Sequence, residues 1–210
     1  MRLKIFLFAL FTVLVIFLVF QNSQQSKREK KIKILAVGDS LTSGHDVNDT
    51  EKYPAILEAK LRENGIQAEV VNLGTKFETT EGLLNRIGEI KKIEADIVII
   101  TTGGNDILKN VTPNTTRKNL EAIIVSLKDK YSATDIYLAT LNIPPTFGLS
   151  YIYSGLERGH GINLVKFVEP DVYFESNLMH PDQVHPNAAG NAYIVQNYIY
   201  PEIMKRFQGF

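Results

Sequence analysis

Four polar residues, far apart along the chain, carry side chains suited to acyl transfer. Ser40 closes a Gly-Asp-Ser sequence after an apolar run, where a hydroxyl presented at a strand end can act as a nucleophile. Asp182 precedes His185 by three residues, so it can hold one imidazole nitrogen as a donor and leave the other free to take a proton. Asn105, in a Gly-Gly-Asn-Asp sequence, has an amide that can stabilise an oxyanion.

Each of these segments also has an ordinary structural interpretation. Gly, Asp and Ser are common turn residues, and Asp182 could simply cap a following helix beside a surface histidine. A metal site is another alternative, because His180, Asp182 and His185 are clustered. They lack the H-E-x-x-H spacing and a further run of ligands, so we expect no metal. The combination of segments favours catalysis, because strand ends in a doubly wound sheet converge on one edge.

The elements that must position these residues alternate between strand-like and helix-like segments from Ile32 onward, which predicts a parallel α/β sheet. The first strand is the apolar run that ends at Val37. Further strands are predicted at 68–72, 96–102, 135–140 and 163–167. Helices are predicted at 53–64, 79–93, around 120–127 and from Pro186 to Phe207, and the segment 144–161 is predicted to be irregular.

Composition limits the classes of function. The 210 residues are 44% hydrophobic, which suits one compact domain once the N-terminal segment is set aside. Lys plus Arg and Asp plus Glu both number 23, so no excess of positive charge points to nucleic acid. The absence of cysteine excludes a thiol nucleophile, disulfides and Cys-based zinc sites.

The N-terminal segment has the pattern of a membrane anchor. Residues 5–20 are apolar except for Thr12 and follow Arg2 and Lys4; as a helix they would span roughly 24 Å. Flanking lysines can reach the interface of a core about 30 Å thick. Residues 21–26 offer no small-x-small cleavage site, which favours an uncleaved signal anchor over a cleaved signal peptide. We therefore predict an anchor at 1–21, a polar linker at 22–31 and one domain at 32–210.

Two sequence signals predict opposite orientations for this anchor. The basic residues between Lys27 and Lys33 outnumber those ahead of the apolar segment, which favours a cytoplasmic domain. A short N-terminal tail ahead of a signal-like segment favours export instead. We expect an extracytoplasmic domain, at the periplasmic face of the inner membrane or at the cell surface.

The chain resembles a known family, the SGNH (GDSL) hydrolases, and among them the thioesterase I/lysophospholipase L1 type. The matching segments, in matching order and spacing, are GDSLTSG (38–44), VVNLG (70–74), GGND (103–106) and DQVHPNAAG (182–190). The resemblance covers about residues 32–203. It implies a three-layer α/β/α sandwich around a five-stranded parallel sheet of flavodoxin-like order. It also implies hydrolysis of carboxylic esters and thioesters without a cofactor.

Carried over by position, the resemblance implies a role for each polar residue. Ser40 would be the nucleophile, His185 the general base and acid, and Asp182 the residue that orients it. The Ser40 N–H and the Asn105 side chain would stabilise the oxyanion. Residues expected to contact substrate are Asp39, His45, Gly74, Phe147 and Tyr151.

One position departs from the family pattern. Phe77 stands where the second glycine of N-x-G-x-x-G is expected, and that glycine donates a backbone N–H to the oxyanion. Phe77 could still supply its N–H, but a bulky residue is strained at positive φ. Its ring could also narrow the acyl pocket. This departure bears on the third oxyanion donor and on the substrate range, and it leaves the triad unchanged.

Three functions follow from these observations. The first is a serine esterase that cleaves acyl esters or thioesters and resembles lysophospholipases, thioesterases or arylesterases. The second is a carbohydrate O-acetylesterase acting on cell-wall or exported polysaccharide. The third, a binding domain that has lost activity, rests only on Phe77. Apolar and aromatic residues at 147–156 favour acyl chains. The expected partners are a small-molecule or lipid ester and, through the anchor, a membrane, and the chain is expected to be a monomer.

Overall fold

Five parallel strands form the central sheet in the computed structural model, which describes residues 31–142, 144 and 149–207. They are Ile32–Gly38 (β1), Ala68–Gly74 (β2), Ile97–Thr101 (β3), Ile136–Leu141 (β4) and Asn163–Val168 (β5). Their order across the sheet is β2-β1-β3-β4-β5, and every neighbouring pair is parallel. The expected five-stranded parallel sheet of flavodoxin-like order is therefore confirmed.

Helices connect the strands on both faces of the sheet. The α-helices are Ser40–Ser43 (α1), Tyr53–Glu63 (α2), Thr80–Ile90 (α3), Gly104–Leu108 (α4), Pro113–Lys128 (α5), Ser150–His160 (α6), Pro170–Tyr173 (α7), Ala188–Ile194 (α8) and Tyr200–Lys205 (α9). Short 3₁₀ turns lie at Asp49–Glu51 and Ala133–Asp135, and a π-helical turn at Val195–Ile199 joins α8 to α9.

Alternate residues of the strands supply two separate apolar cores. On β1, Ile34 and Ala36 pack with α2, α8 and α9, whereas Leu35 and Val37 pack with α3, α5 and α6. All four of these side chains are fully buried. Since both faces of the strand are covered, its sequence is a continuous apolar run rather than an alternating one. The result is the three-layer arrangement that the resemblance implies.

The order of the strands places a crevice at the carboxyl ends of β1 and β3. Strand order reverses between these two neighbours, so the connections that leave them diverge to opposite faces. Gly38 ends β1 against β3 so closely that an added Cβ would lie 2.0 Å from the Thr101 carbonyl oxygen. Glycine therefore lets the chain turn directly into α1 and deliver Ser40 at the crevice.

Two predicted segments differ from the structure. Residues 150–160 form helix α6 rather than irregular chain, because Ile152, Tyr153 and Leu156 recur at helical spacing and are buried against the sheet. The closing helix begins at Ala188 instead of Pro186. Pro186 pairs with Met179 in an isolated antiparallel bridge, which holds it in the preceding turn.

The predicted membrane anchor at 1–21 and nearly all of the linker at 22–31 lie outside the described residues. In the part of the chain that the structure describes, no helix combines the length and apolar character needed to cross a bilayer.

Candidate active site

Ser40, His185 and Asp182 form a continuous chain of hydrogen bonds at the carboxyl edge of the sheet. Ser40 Oγ lies 2.8 Å from His185 Nε2, and His185 Nδ1 lies 2.7 Å from Asp182 Oδ2. A carboxylate can only accept, so Nδ1 carries the proton and Nε2 accepts from the serine hydroxyl. This arrangement lets the imidazole take the hydroxyl proton while the carboxylate stabilises the resulting positive charge.

A self-contained turn holds the acid and the base in place. Asp182 Oδ1 accepts from the backbone N–H groups of Val184 at 2.9 Å and His185 at 3.1 Å, which closes an Asx-type turn. Gln183, between them, adopts a left-handed conformation with φ of 53°. The His180 N–H donates to the His185 carbonyl at 2.8 Å and closes the base of the turn. Asp182 thus fixes both the imidazole and the backbone that carries it.

The charge states of this pair suit proton transfer. Burial opposes ionisation of Asp182, but hydrogen bonds from His185 and Val184 outweigh it and lower the pKa of the carboxyl to about 2. Burial lowers the pKa of His185 below its usual value; Asp182 opposes that change, and His45 and His180 add to it. At neutral pH the pair is therefore a carboxylate beside a neutral imidazole, as a general base requires.

Ser40 begins α1, so its N–H has no carbonyl partner within the helix. Asp39 caps this helix, because its Oδ1 accepts from the Leu41 N–H at 3.0 Å. Burial raises the pKa of Asp39 to about 7; the hydrogen bond from the Leu41 N–H opposes this rise, and the nearby carboxyls of Glu78 and Asp106 add to it. Asp39 was expected to contact substrate, and the structure places its buried carboxyl at the wall of the cavity beside Ser40.

Asn105 lies in α4, after β3, with its amide held in one orientation. Its Nδ2 donates to the Glu78 carbonyl oxygen at 3.0 Å, which leaves the second amide proton for another acceptor. Asn105 and Ser40 line the same cavity. Next to it, Asp106 is fully buried and accepts from the Thr80 N–H and from the Thr80 and Thr116 hydroxyls, which ties α4 to α3 and α5.

Sequence reasoning missed the ion pair that supports this side of the site. Arg86 Nε and Nη2 each lie 2.7 Å from the carboxylate of Glu78, and Nη2 also donates to the Leu73 carbonyl at 2.8 Å and the Gly38 carbonyl at 3.4 Å. One guanidinium thus joins β1, β2 and the loop that orients Asn105. The only sequence signal was an acid and a base eight residues apart, which by itself suggests nothing.

His45 lies over the imidazole of His185 rather than simply lining a cleft. The His45 and His185 rings stack with centroids 4.1 Å apart and planes 16° from parallel. His45, Asp182 and His185 offer ligand atoms within 4.8 Å of one another. In-plane nitrogen lone pairs of two stacked rings run side by side, so they do not converge on one tetrahedral metal ion. The arrangement fits a ring stack on the base better than a metal site.

A cavity of about 260 Å³ opens beside Ser40 and is called the Ser40 cavity below. Its apolar wall comes from Leu41, Leu108, Leu141, Val168, Tyr173 and Val184. None of these residues was predicted to contact substrate. They come from five separate parts of the chain, and only the folded sheet edge brings them together.

Several expected substrate contacts lie elsewhere in the described structure. The apolar residues predicted to hold an acyl chain, Leu149, Ile152, Tyr153 and Leu156, are core residues that pack α6 on the sheet. Tyr151 is exposed on the other face of α6, and Phe147 lies outside the described residues. Gly74 does not line the Ser40 cavity; an added Cβ there would lie 2.1 Å from the Ser43 nitrogen, so it serves close packing.

Phe77 adopts the left-handed conformation that a glycine would favour, with φ of 63°. Its carbonyl accepts from Lys109 Nζ at 2.9 Å, and its side chain is 66% exposed. The ring is absent from the described lining of the Ser40 cavity, so it does not narrow the space there. Donation from the Phe77 N–H to an oxyanion stays a prediction.

Comparison with known proteins agrees with this geometry. The model of the GDSL-like lipase/acylhydrolase family matches residues 36–193. An arylesterase from Vibrio mimicus is 27% identical over 180 residues, which cover 82% of this chain and 88% of that protein. The thioesterase 1/protease 1/lysophospholipase L1 of Escherichia coli K12 is 27% identical over 168 residues, covering 77% of this chain and 78% of that one. The crystal structure of AlinE4, an SGNH-hydrolase family esterase, has a TM-score of 0.67 and 32% identity, covering 86% of this chain and 98% of AlinE4.

Proposed function

Since this chain belongs to the GDSL-like lipase/acylhydrolase family, it is a serine hydrolase of ester bonds, and we propose that it cleaves acyl esters and thioesters through an acyl-enzyme on Ser40. The observation that carries the mechanism is the pair of hydrogen bonds, 2.8 Å and 2.7 Å, that joins Ser40 to His185 and His185 to Asp182. A nucleophile, a base and an orienting acid in this order are what acyl transfer requires.

The proposed reaction has two halves. Ser40 Oγ forms a bond to the carbonyl carbon while its proton moves to His185 Nε2. The Ser40 N–H and the free amide proton of Asn105 stabilise the oxyanion. The bond to the leaving group then breaks, His185 returns the proton to the departing oxygen or sulfur, and the acyl group stays on Ser40. Water repeats the sequence and releases the carboxylic acid.

The size and lining of the Ser40 cavity favour substrates with acyl chains of short to medium length. Its wall is mostly apolar, and its volume of about 260 Å³ lies just below the range of about 300–1,000 Å³ that is usual for ligand pockets. A carbohydrate O-acetylesterase would need a shallow polar groove around an acetyl group, and the observed wall favours the acyl-ester function instead. The intact hydrogen bonds of the triad favour an enzyme over a binding domain that has lost activity.

A labelling experiment tests the proposed chemistry. The full chain, purified in a mild nonionic detergent, should react with a fluorophosphonate probe, and the Ser40→Ala variant should not. Hydrolysis of 4-nitrophenyl esters from acetate to palmitate should then give the highest kcat/KM at short to medium chain length. Absence of labelling in the folded wild-type protein would overturn the proposal. A maximum restricted to acetylated sugars would favour the O-acetylesterase.

We also propose that residues 1–21 anchor the enzyme, as a monomer, in a membrane with its catalytic domain outside the cytoplasm. The support is the apolar segment 5–20 and the lack of a cleavage site after it. Cell fractionation should place the full chain in the membrane fraction, and protease added to intact spheroplasts should degrade the domain. Protection of the domain would reverse the orientation. Light scattering of the purified chain measures its molar mass and so tests whether it is a monomer.

A further inference from the structure

His45 packs against two imidazoles of the turn that carries the proposed base. Its ring stacks on that of His185 with centroids 4.1 Å apart, and it lies edge to face with the His180 ring at 6.1 Å and 83°. His180 and His185 both belong to this turn, whereas His45 comes from another part of the chain. The described lining of the Ser40 cavity does not include His45. Its contacts therefore indicate a role toward His185 rather than toward the acyl chain.

The helix that delivers Ser40 also fixes the position of His45. Gly44 ends this helix, α1, and its N–H donates to the Ser40 carbonyl at 3.0 Å. Gly44 has a φ of 81°, and an added Cβ would lie 2.6 Å from the Lys52 side chain, so the turn favours glycine. His45 follows immediately. The ring stack thus joins the element that carries the nucleophile to the turn that carries the base.

One edge of the His45 ring faces two carboxylates. Its Nε2 lies 3.4 Å from Asp46 Oδ2 and 3.7 Å from Asp182 Oδ2. Both oxygens attract a proton on Nε2, so they oppose rotation of the His45 ring. The surface against which the His185 imidazole packs is therefore itself held in one orientation.

Hydrogen bonds alone hold the His185 ring incompletely during the proposed reaction. In the structure, Asp182 and Ser40 each make a hydrogen bond to one of its two nitrogens. In the acyl-enzyme, the Ser40 oxygen carries the acyl group instead of a proton, so it cannot donate to Nε2. Of the two bonds, only the one to Asp182 then remains, and a ring held at one nitrogen can swing out of its plane. A flat ring stacked at 4.1 Å opposes that movement.

We infer that His45 is a positioning residue, whose ring keeps the His185 imidazole aligned first with Ser40 Oγ and then with the water that attacks the acyl-enzyme. The assignment rests on the proposed function and adds to it a residue that acts through His185. The property that this role requires is a flat face. Phenylalanine should therefore replace His45, and a branched aliphatic side chain should not.

The test compares two apolar replacements in the full chain. His45→Leu should lower kcat for 4-nitrophenyl butyrate by about ten- to thirtyfold without raising KM, because a misaligned base slows proton transfer and leaves binding unchanged. His45→Phe should keep kcat within about threefold of wild type. At pH 8 the His185 imidazole is neutral, so the difference reports alignment rather than protonation. The control His160→Leu removes a histidine that pairs with Glu121 at 3.4 Å on α5, and it should leave kcat and KM unchanged.

Two further variants identify the residue through which His45 acts. In the His185→Ala background, His45→Leu should change the residual rate by less than twofold, because the ring that it would misalign is absent. His45→Ala, which introduces no side chain that could misfit, should reproduce the loss of kcat seen in His45→Leu. The urea unfolding midpoints of the Ala, Leu and Phe variants should agree, which separates alignment from folding.

The outcomes distinguish this assignment from the proposed function. Equal kcat values for His45→Leu and His45→Phe, or a loss that appears as a higher KM, would overturn the positioning role while leaving a probe-labelled esterase. A further large loss from His45→Leu in the His185→Ala background would also overturn it. Absence of fluorophosphonate labelling in the folded wild-type chain would overturn the proposed function itself.

Discussion

Ser40 and Asn105 lie at the buried carboxyl ends of β1 and β3, whereas Asp182 and His185 lie in a turn that makes mostly local contacts. On the first side, the Arg86–Glu78 pair and the Asp106 hydrogen bonds join residues between 8 and 48 positions apart. On the second, the hydrogen bonds of Asp182 reach only three residues along the chain. We call these the strand side and the turn side of the site.

The difference indicates what each side contributes. The strand side is part of the fold, so a change there should disturb stability together with catalysis. The turn side is a local structure placed on the finished fold, so a change there should affect proton transfer while leaving stability nearly unchanged. The predictions below test this contrast, beginning with the largest expected effect.

The proton-transfer unit gives the largest effect. His185→Ala and Ser40→Ala should each lower kcat for 4-nitrophenyl butyrate by on the order of 10⁵–10⁶, because the two residues act as one unit. The double variant should be hardly slower than either single one. The urea unfolding midpoint of His185→Ala should stay close to wild type. A folded His185→Ala protein that keeps a tenth of the activity would contradict the assignment of the base.

Loss of the Asn105 amide, the proposed oxyanion donor, should have an intermediate effect. Asn105→Ala should lower kcat by on the order of 10²–10³ and leave KM nearly unchanged, because the amide acts mainly on the charge that develops in the transition state. Its bond to the Glu78 carbonyl is also lost, so the unfolding midpoint should fall, unlike that of His185→Ala. A change in KM alone would mean that Asn105 only positions substrate.

Sequence patterns predicted the strand side well in outline. The apolar run before Gly38 and the turn containing Asn105 are local signals, and both strands end within one residue of the predicted positions. The order of the five strands came from the family resemblance, since pairing is set by contacts distant in sequence. The Arg86–Glu78 pair was missed for the same reason: its significance depends on the carbonyls of Gly38 and Leu73 that the fold brings beside it.

The surroundings of the turn side were harder to predict. The spacing of Asp182 and His185 suggested their contact, but nothing indicated that His45 stacks on the imidazole. Helix α6 was mistaken for a substrate loop because its glycines and aromatic residues are also typical of irregular chain. Which of its faces is buried depends on the sheet beneath it. Without that sheet, core residues such as Ile152 cannot be distinguished from a pocket wall.

Breaking the Arg86–Glu78 pair tests whether the strand side belongs to the fold. The carboxylate of Glu78 is almost completely buried, so Arg86→Met should leave an uncompensated charge and lower the free energy of unfolding by about 3 kcal/mol. Urea denaturation measures this change. The exposed pair Lys92–Glu89 is the control, and Lys92→Met should change stability by less than about 0.5 kcal/mol. If the two substitutions lower the free energy of unfolding equally, the Arg86–Glu78 pair does not make the strand side part of the fold.

The pH dependence of kcat/KM tests the role of His185 on the turn side. His185 acts as a base only when neutral, so kcat/KM should fall as the pH drops through its pKa, which burial and the neighbouring imidazoles His45 and His180 place below the usual 6.5. His45→Phe keeps a ring on His185 but removes the electrostatic interaction by which His45 lowers the pKa of His185, so the acidic limb should move to higher pH. Asp182, which raises the pKa of His185, is unchanged in this variant. A limb that moves to lower pH in His45→Phe would contradict the repulsion.

Phe77 gives the smallest expected effect and lies on the strand side. Its backbone is left-handed, and its ring is exposed outside the described lining of the Ser40 cavity. Phe77→Gly should therefore keep activity on acetate and octanoate esters within about threefold. Relative to Phe77→Ala, it should be more stable by about 1 kcal/mol, since only the alanine variant keeps a Cβ at positive φ. The two variants share the loss of the ring, so their difference in urea midpoint reports the backbone alone. If both instead raise KM for octanoate and not for acetate, the ring contacts the acyl chain, and the Ser40 cavity extends beyond the wall described above.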